Sequence, residues 1–464
     1  MARTAKKETA LTVEEKLAQA LVPEAEQPYQ VPENWRWVTL GGITQVIGGG
    51  TPSSGNPDYY EGGNIPWISP ADLSNYNDMF ISNGAKNITE LGLEKSSARM
   101  LPKDTVCLSS RAPIGYVAIA ANPLSTNQGF KSFLPSPSYY PQYLCWYLKG
   151  NKDLLESRAS GTTFLELSGS KAATIEFPLA PIAEQQRIVD RIESLFAKLD
   201  EAKEKAQAVV DGFVDRKAAI LHKAFTGVLT AGWREDNSIS DSSWDKKRID
   251  QISHPRAGYA FDSKKFTDHG FQIVRMGNLY GGSLDLSRSP VFISPEDIEE
   301  KAMNRSLIND GDILITLTGT KYKRDYGYAV CVRGQKDLLV NQRILCLSPK
   351  ETVITNYLLY YLQSNIFRDI FFSNETGGVN QGNVSSKFVE GIEIALPPIK
   401  EQQKIVEILD RAFEKETIAL EAAEQVIDQI DTMKKAILAR AFRGELGTND
   451  PTDESAEEML KRVL

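Results

Sequence analysis

Pro181-Ile182-Ala183-Glu184-Gln185-Gln186 returns as Pro398-Ile399-Lys400-Glu401-Gln402-Gln403, 217 residues later. The same offset carries Lys217-Ala218-Ala219-Ile220-Leu221 onto Lys434-Lys435-Ala436-Ile437-Leu438, and Ala224-Phe225-Thr226-Gly227 onto Ala441-Phe442-Arg443-Gly444. From residue 181 to 229, 22 of 49 positions are identical across that offset without a gap, far above chance. A period this long marks a duplicated domain-plus-helix unit, not a solenoid.

Each copy predicts a long helix. Apolar residues step by four and three through Ile188, Ile192, Leu195, Leu199, Ala202, Ala206, Val209, Phe213 and Ile220. The second copy gives Ile405, Leu409, Ala412, Ala419, Ala423, Val426, Ile430, Met433 and Ile437. Both are heptad seams of about five heptads, with Arg216 and Glu416 as polar exceptions. No proline interrupts either run, and the single Gly212 is a tolerable cost. Gly227 and Gly444 stand where helix C-caps belong. Two homologous helices in one chain pack most simply on each other, antiparallel, holding two globular halves apart.

Outward from the helices the pattern changes to short apolar runs between turns, such as Val106-Cys107-Leu108 and Ile313-Leu314-Ile315. Tyr143–Leu148 and Tyr357–Leu362 read as short buried helices in matching places, and Asn127-Gln128 recurs as Asn341-Gln342. The expected division is an N-terminal arm (1–30), a first globular segment (31–180), a first long helix (181–230), a linker (231–245), a second globular segment (246–397), a second long helix (398–447) and an acidic tail (448–464). The class is α+β, with a pseudo-two-fold internal repeat. The arm is expected to be helical around Val13–Leu21. The tail should start loose and end in a helix capped by Ser455 with Glu458.

The 464 residues are 41% hydrophobic and 25% charged, as in a soluble globular protein. No apolar run approaches the ~18 residues of a membrane span, and no apolar segment follows the basic residues near Met1. Four widely spaced cysteines read as buried small hydrophobes, and a cytoplasmic location is expected. The net charge of −8 is unhelpful for contacting phosphates. The acid excess, however, lies in the helices, arm and tail. Residues 33–180 hold 11 basic and 12 acidic side chains; residues 246–398 hold 19 and 17.

Little catalytic chemistry is legible. The three histidines have no metal-ligand spacing, and no nucleophile-elbow, zinc-protease or P-loop signature occurs. Gly48-Gly49-Gly50-Thr51-Pro52 reads as a surface turn. Asn56-Pro57-Asp58-Tyr59 faintly resembles an amino-methyltransferase motif, with Asp58 where a second proline belongs. Glu299-Glu300-Lys301 has nuclease-like spacing, but Ser294-Pro295-Glu296-Asp297 reads as a helix start whose acids serve the dipole. No catalytic residue, metal ligand or bound cofactor is expected on this chain.

Recognition chemistry remains. Ser109, Ser110 and Arg111 follow a strand in the first globular segment; Thr316, Thr318, Lys321, Tyr322, Lys323 and Arg324 follow the corresponding strand in the second. Thr162 and Thr163, and Gln381 and Asn383, lie in a second pair of polar loops. Arginine can pair bidentately with guanine, Asn or Gln with adenine, and hydroxyls with phosphate. All these residues except Tyr322 are expected DNA contacts.

Taken together, the chain resembles the specificity subunit of Type I restriction–modification systems over almost its whole length. The Pro-Ile-x-Glu-Gln-Gln-x-Ile-Val opening and Ala-x-x-Gly exit of each helix carry the resemblance, along with Trp35-Arg36-Trp37, Leu101-Pro102-Lys103-Asp104 and Leu307–Asp312 in the globular segments. It implies two target recognition domains, each reading half of a bipartite asymmetric site in double-stranded DNA. The helices would fix the spacer and dock two adenine-N6 methyltransferase subunits, through Glu184, Gln185, Gln186, Phe225, Glu401, Gln402, Gln403 and Phe442. S-adenosylmethionine would sit on those partners, ATP and Mg on motor–nuclease subunits where present. Two competing readings are a fused adenine methyltransferase and a coiled-coil scaffold without DNA reading.

Overall fold

In the first globular segment the fully buried strand Val106–Ser110 lies between Ile114–Ala120 and Phe130–Phe133, antiparallel to both. Val46–Gly48 pairs outside Phe130–Phe133, and Phe80–Ile81 outside Ile114–Ala120. A second sheet sets Ile65–Ile68 parallel to Leu124–Thr126. The antiparallel pair Arg36–Thr39 with Glu176–Leu179 brings the two ends of the segment together. The computed structural model describes residues 11–111, 113–161, 165–240, 243–378 and 380–464.

The second segment repeats this plan with different residues. Ile313–Thr316 lies between Ala329–Cys331 and Ile344–Pro349, with Ser253–Ala257 outside the latter. Phe271–Val274 runs parallel to Leu338–Val340, and Asp245–Arg248 pairs with Glu393–Leu396. What is shared is the alternation of buried strands and turns, so one topology survives where sequence identity does not. The helices Pro141–Gly150 and Thr355–Gln363 stand where the sequence places them, burying Tyr143 and Tyr147, and Tyr357 and Tyr361.

Contacts divide the chain into two units: residues up to Lys205 together with Val426–Leu464, and Ala206–Gln425. This division cuts across the segments expected from sequence, because each long helix contributes to both units. The second helix is continuous over Ile399–Ala441. The first is interrupted, against expectation, running Ile182–Asp211 and then Phe213–Phe225. Gly212 sits at the break, and a Cβ there would lie 2.5 Å from Arg216 Nη1. The bare glycine lets the Arg216 guanidinium fold back and donate to the Val209 carbonyl at 2.9 Å.

Within each unit the helix segments run antiparallel. In the first, Lys434 Nζ is 2.5 Å from Asp200 and 5.1 Å from the Phe196 ring centroid. In the second, Lys217 lies 4.9 Å from the Phe413 ring centroid. Lys217 and Lys434 are repeat equivalents, as are Phe196 and Phe413, so the lysine of each copy covers the phenylalanine of the other.

The arm and tail belong to the first unit. Thr12 and Glu15 form a capping box on Val13–Ala20. Ser455 caps Ala456–Val463, whose Ala456, Met459 and Leu460 join the first unit's core. The expected linker contains a helix, Ala231–Asp236, with Arg234 buried.

Candidate nucleic-acid interface

A concavity with polar side chains in its lining opens in the second unit beside the end of the central strand Ile313–Thr316. A cleft of about 430 Å³ is lined by Tyr280, Thr316, Thr318, Arg343, Asn380 and Gln381, among others. A neighbouring one of about 480 Å³ is lined by Arg275, Arg288, Asn341, Gln342 and Arg343. The chain segments forming them are far apart in sequence and converge through the sheet. Thr318–Gly319 pairs with Gly382–Asn383, which brings the Gln381 loop to the Thr316 strand end.

Two of these arginines are held by their own unit. Arg275 Nη2 donates to the Ser289 carbonyl at 2.6 Å, and Arg288 lies 5.9 Å from the Tyr280 ring centroid. Arg343 is exposed and lines both clefts. Its guanidinium has no hydrogen bond or ion pair among the described residues. Such a charge is placed to meet an incoming acceptor. Asn341 Oδ1 accepts from Arg343 N at 3.4 Å, just as Asn127 Oδ1 accepts from Gly129 N at 2.9 Å. Both asparagines thus shape backbone turns. Glycine presses on each turn: a Cβ on Gly49 or Gly258 would lie 1.9 Å from the Asn127 carbonyl oxygen or 2.1 Å from that of Asn341. The Gly48–Pro52 stretch therefore includes a close packing contact.

The sequence-expected DNA contacts separate into groups. Lys321, Lys323 and Arg324 lie together on the turn after Thr318, with Lys321 Nζ on the Gly377 carbonyl at 3.0 Å and Arg324 paired with Asp369 at 2.8 Å. Lys323 and Gln381 are exposed, and Asn383 is half-buried in its strand. Thr316 and Thr318 reach the cleft but are largely covered; Thr316 Oγ1 accepts from Tyr328 N at 3.1 Å, and Thr318 Oγ1 meets Met276 Sδ. Ser109 and Ser110 are a correction. Both are fully buried, Ser109 donating to the Pro113 carbonyl at 2.8 Å and Ser110 to the Gly129 carbonyl at 3.0 Å. Their hydroxyls satisfy backbone where the strand bulges between Leu108 and Ser110. Arg111 is partly exposed and 3.7 Å from Glu166, which also holds Lys131 at 3.6 Å. Thr162 and Thr163 lie outside the described residues. Arg275, Arg288, Arg343 and Tyr280 escaped the sequence reading. The one signal was Arg343, which follows Asn341-Gln342 where glycine follows Asn127-Gln128.

The Glu-Gln-Gln openings are also corrected. Glu184 and Gln185, and Glu401 and Gln402, are buried at the starts of their helices. Glu184 accepts from Trp35 Nε1 at 2.7 Å, Asn449 Nδ2 at 2.9 Å and the Thr448 hydroxyl at 3.3 Å. Burial pushes its carboxyl above the ordinary range, against these hydrogen bonds and the charge of Arg187. Glu401 instead receives Arg234 Nη1 at 2.7 Å, the Thr230 hydroxyl at 2.7 Å and Trp244 Nε1 at 2.9 Å. Gln185 spans Tyr140 N, Ser138 O and Ala180 O; Gln402 spans Ile354 N, Thr352 O and Pro397 O. Phe442 is buried at 5.0 Å from Tyr143 and from Tyr147, and Phe225 at 5.4 Å from Tyr357 and 5.3 Å from Tyr361. These six side chains tie helix ends to globular cores and offer no surface to a partner. Gln186 is half-buried and Gln403 exposed.

Asn56 caps the short turn Pro57–Tyr59 through Asp58 N at 3.2 Å. Glu299 stands at the N-cap of Glu300–Ser306, while Ser294 precedes only a 3-10 turn, so the helix starts later than expected. Among the described residues no cluster of three or more His, Cys, Asp or Glu could hold a metal ion, and no helix is long and apolar enough to cross a membrane.

The model of the Type I restriction modification DNA specificity domain matches residues 32–210 and again 241–431. The specificity subunit of the Type I restriction enzyme MjaIX from Methanocaldococcus jannaschii is 29% identical over 428 residues, covering 90% of this chain and 94% of its own. That of EcoKI from Escherichia coli is 22% identical over 435 residues, covering 90% of each. Among solved structures, the HsdS subunit from Thermoanaerobacter tengcongensis shares the fold, with a TM-score of 0.66 at 18% identity over 91% of this chain and 100% of that one. The fused-methyltransferase and scaffold readings are not favoured.

Proposed function

Because this chain belongs to the Type I restriction–modification DNA specificity family, we propose that its two units read the two halves of a split, asymmetric site in double-stranded DNA. The observation that carries this reading is the pair of neighbouring clefts that meet at Arg343, one lined also by Gln342 and the other by Asn380 and Gln381. Side chains of these types suit the donor and acceptor edges of base pairs in the major groove. Lys321 and Lys323 beside it suit phosphates, which position without specifying. In the first unit Arg111 and Lys131 share Glu166. That arrangement favours a different readout, consistent with an asymmetric target.

The subunit is the reader for enzymes it does not itself contain, acting in the cytoplasm. Two adenine methyltransferase subunits would supply S-adenosylmethionine chemistry, and motor–nuclease subunits would bring ATP and Mg. The paired long helices fix the unspecific spacer. Exposed residues of their openings, Gln403 among them, are better docking candidates than the buried Glu184, Gln185, Glu401 and Gln402.

The test is co-purification with the cognate methyltransferase subunit, then mapping of methylated adenines in DNA exposed to the complex. A split motif with a fixed gap supports the reading. A continuous palindrome, or a stable complex that methylates nothing, overturns it.

A further inference from the structure

We propose that Tyr322 is a wedge, an aromatic ring that the second unit inserts into a base step of its half-site, deforming the duplex that the neighbouring cleft reads. The inference rests on the specificity reading above. Tyr322 is 80% exposed, between Lys321 and Lys323. Its φ of 67° and the 51° of Arg324 put two non-glycine residues of one short turn in the left-handed region. Side chains rarely adopt that conformation, and it persists only where the surroundings enforce it.

Here they do. Asp325 Oδ1 accepts from Thr320 N at 2.8 Å, and Lys323 N donates to the Thr320 carbonyl at 3.2 Å. Glu375 accepts from the Tyr326 hydroxyl at 2.7 Å and from Tyr322 N at 3.3 Å. Lys321 Nζ bonds the Gly377 carbonyl, and Arg324 is anchored by Asp369 with its guanidinium 5.3 Å from the Phe372 ring centroid. The result is a rigid turn displaying one apolar ring, with the Lys321 ammonium 5.1 Å from its centroid. A phosphate contact alone would need only the lysines. A fixed ring beside cations also matches a base face next to a phosphate, and apolar side chains inserted at base steps unstack and bend duplexes.

The test uses the subunit assembled with its methyltransferase partner, on duplexes of the mapped target. 2-Aminopurine is placed at successive positions of the half-site read by the second unit. The methylated adenine is left out, because a flipped base brightens by itself. Wild type should brighten one step. Tyr322→Ala should leave that step dark, bind roughly tenfold more weakly, melt like wild type and keep the same motif. Tyr322→Phe should restore the signal. A bound duplex with no bright step overturns the wedge alone, as does an alanine variant as bright as wild type. Loss of methyltransferase co-purification in the alanine variant makes the ring a protein contact, and also overturns it. A wild-type assembly that binds no split motif overturns the specificity reading and the wedge with it.

Discussion

Arg216 and Glu416, the two polar residues that break the apolar seams of the long helices, meet each other: Arg216 Nε donates to Glu416 Oε2 at 2.8 Å. Each exception to the pattern is the other's partner. A polar pair within a seam is a device that sets register between helices, since any slip would leave both groups facing apolar neighbours.

A double-mutant cycle of Arg216→Met and Glu416→Leu measures this directly. The pair is partly exposed, so a coupling of about 1 kcal/mol is expected, weakening with salt. Urea unfolding reads it. A coupling indistinguishable from zero would remove the register role.

The two buried glutamates should respond differently to amide substitution. At Glu401 both oxygens face donors, from Arg234 and Thr230 on one side and Trp244 on the other. Glu401→Gln turns an amide N–H toward one of them and removes the charge opposite Arg234, at a cost of about 3 kcal/mol. At Glu184 only Oε2 meets fixed N–H donors, while Oε1 faces the rotatable Thr448 hydroxyl. Glu184→Gln should therefore cost under about 1 kcal/mol. Equal losses in denaturant titrations would contradict this.

Glu184 also gives a pH dependence of defined sign. Burial raises its carboxyl above the ordinary 4.5. Its contribution to stability is full below that value and is lost as pH rises through the raised one. Melting temperatures of wild type should thus fall relative to Glu184→Gln as pH increases from about 4 through the raised value. A parallel pair of curves would sink the assignment.

Phe225→Ala and Phe442→Ala should each destabilise the isolated subunit by about 3–5 kcal/mol, because each ring fills an aromatic core. Normal stability with lost methyltransferase binding would instead restore the docking role expected from sequence.

Arg343→Ala should relax discrimination at one base pair of one half-site, worth about 1–3 kcal/mol, and leave the other half unchanged. Arg343→Lys, lacking the planar fork, should not restore it. Methylation mapping across a randomised half-site distinguishes this from uniform weakening, the signature of a phosphate contact.

The repeat, the two helices and the absence of common catalytic motifs were legible in sequence because each is a one-dimensional pattern. A 217-residue offset, a step of four and three, and a missing motif need no knowledge of contacts. The strand runs were legible for the same reason, since continuous burial leaves an apolar mark on consecutive residues. The break at Gly212 was not, because it depends on where the Arg216 guanidinium goes.

The sequence by itself determined that this is a duplicated chain of two mixed α/β segments with two long seamed helices. Only the tertiary structure decided which polar residues face inward. Glu184, Gln185, Ser109 and Ser110 look like surface chemistry in a string of letters, yet all are buried with their hydrogen bonds satisfied within the chain. The structure likewise decided that Arg275 and Arg288 line one cleft and Gln381 its neighbour, with Arg343 common to both. The physical reason is common to both: burial and convergence are set by distant strands pairing through the sheet, and no local period records which distant strand arrives.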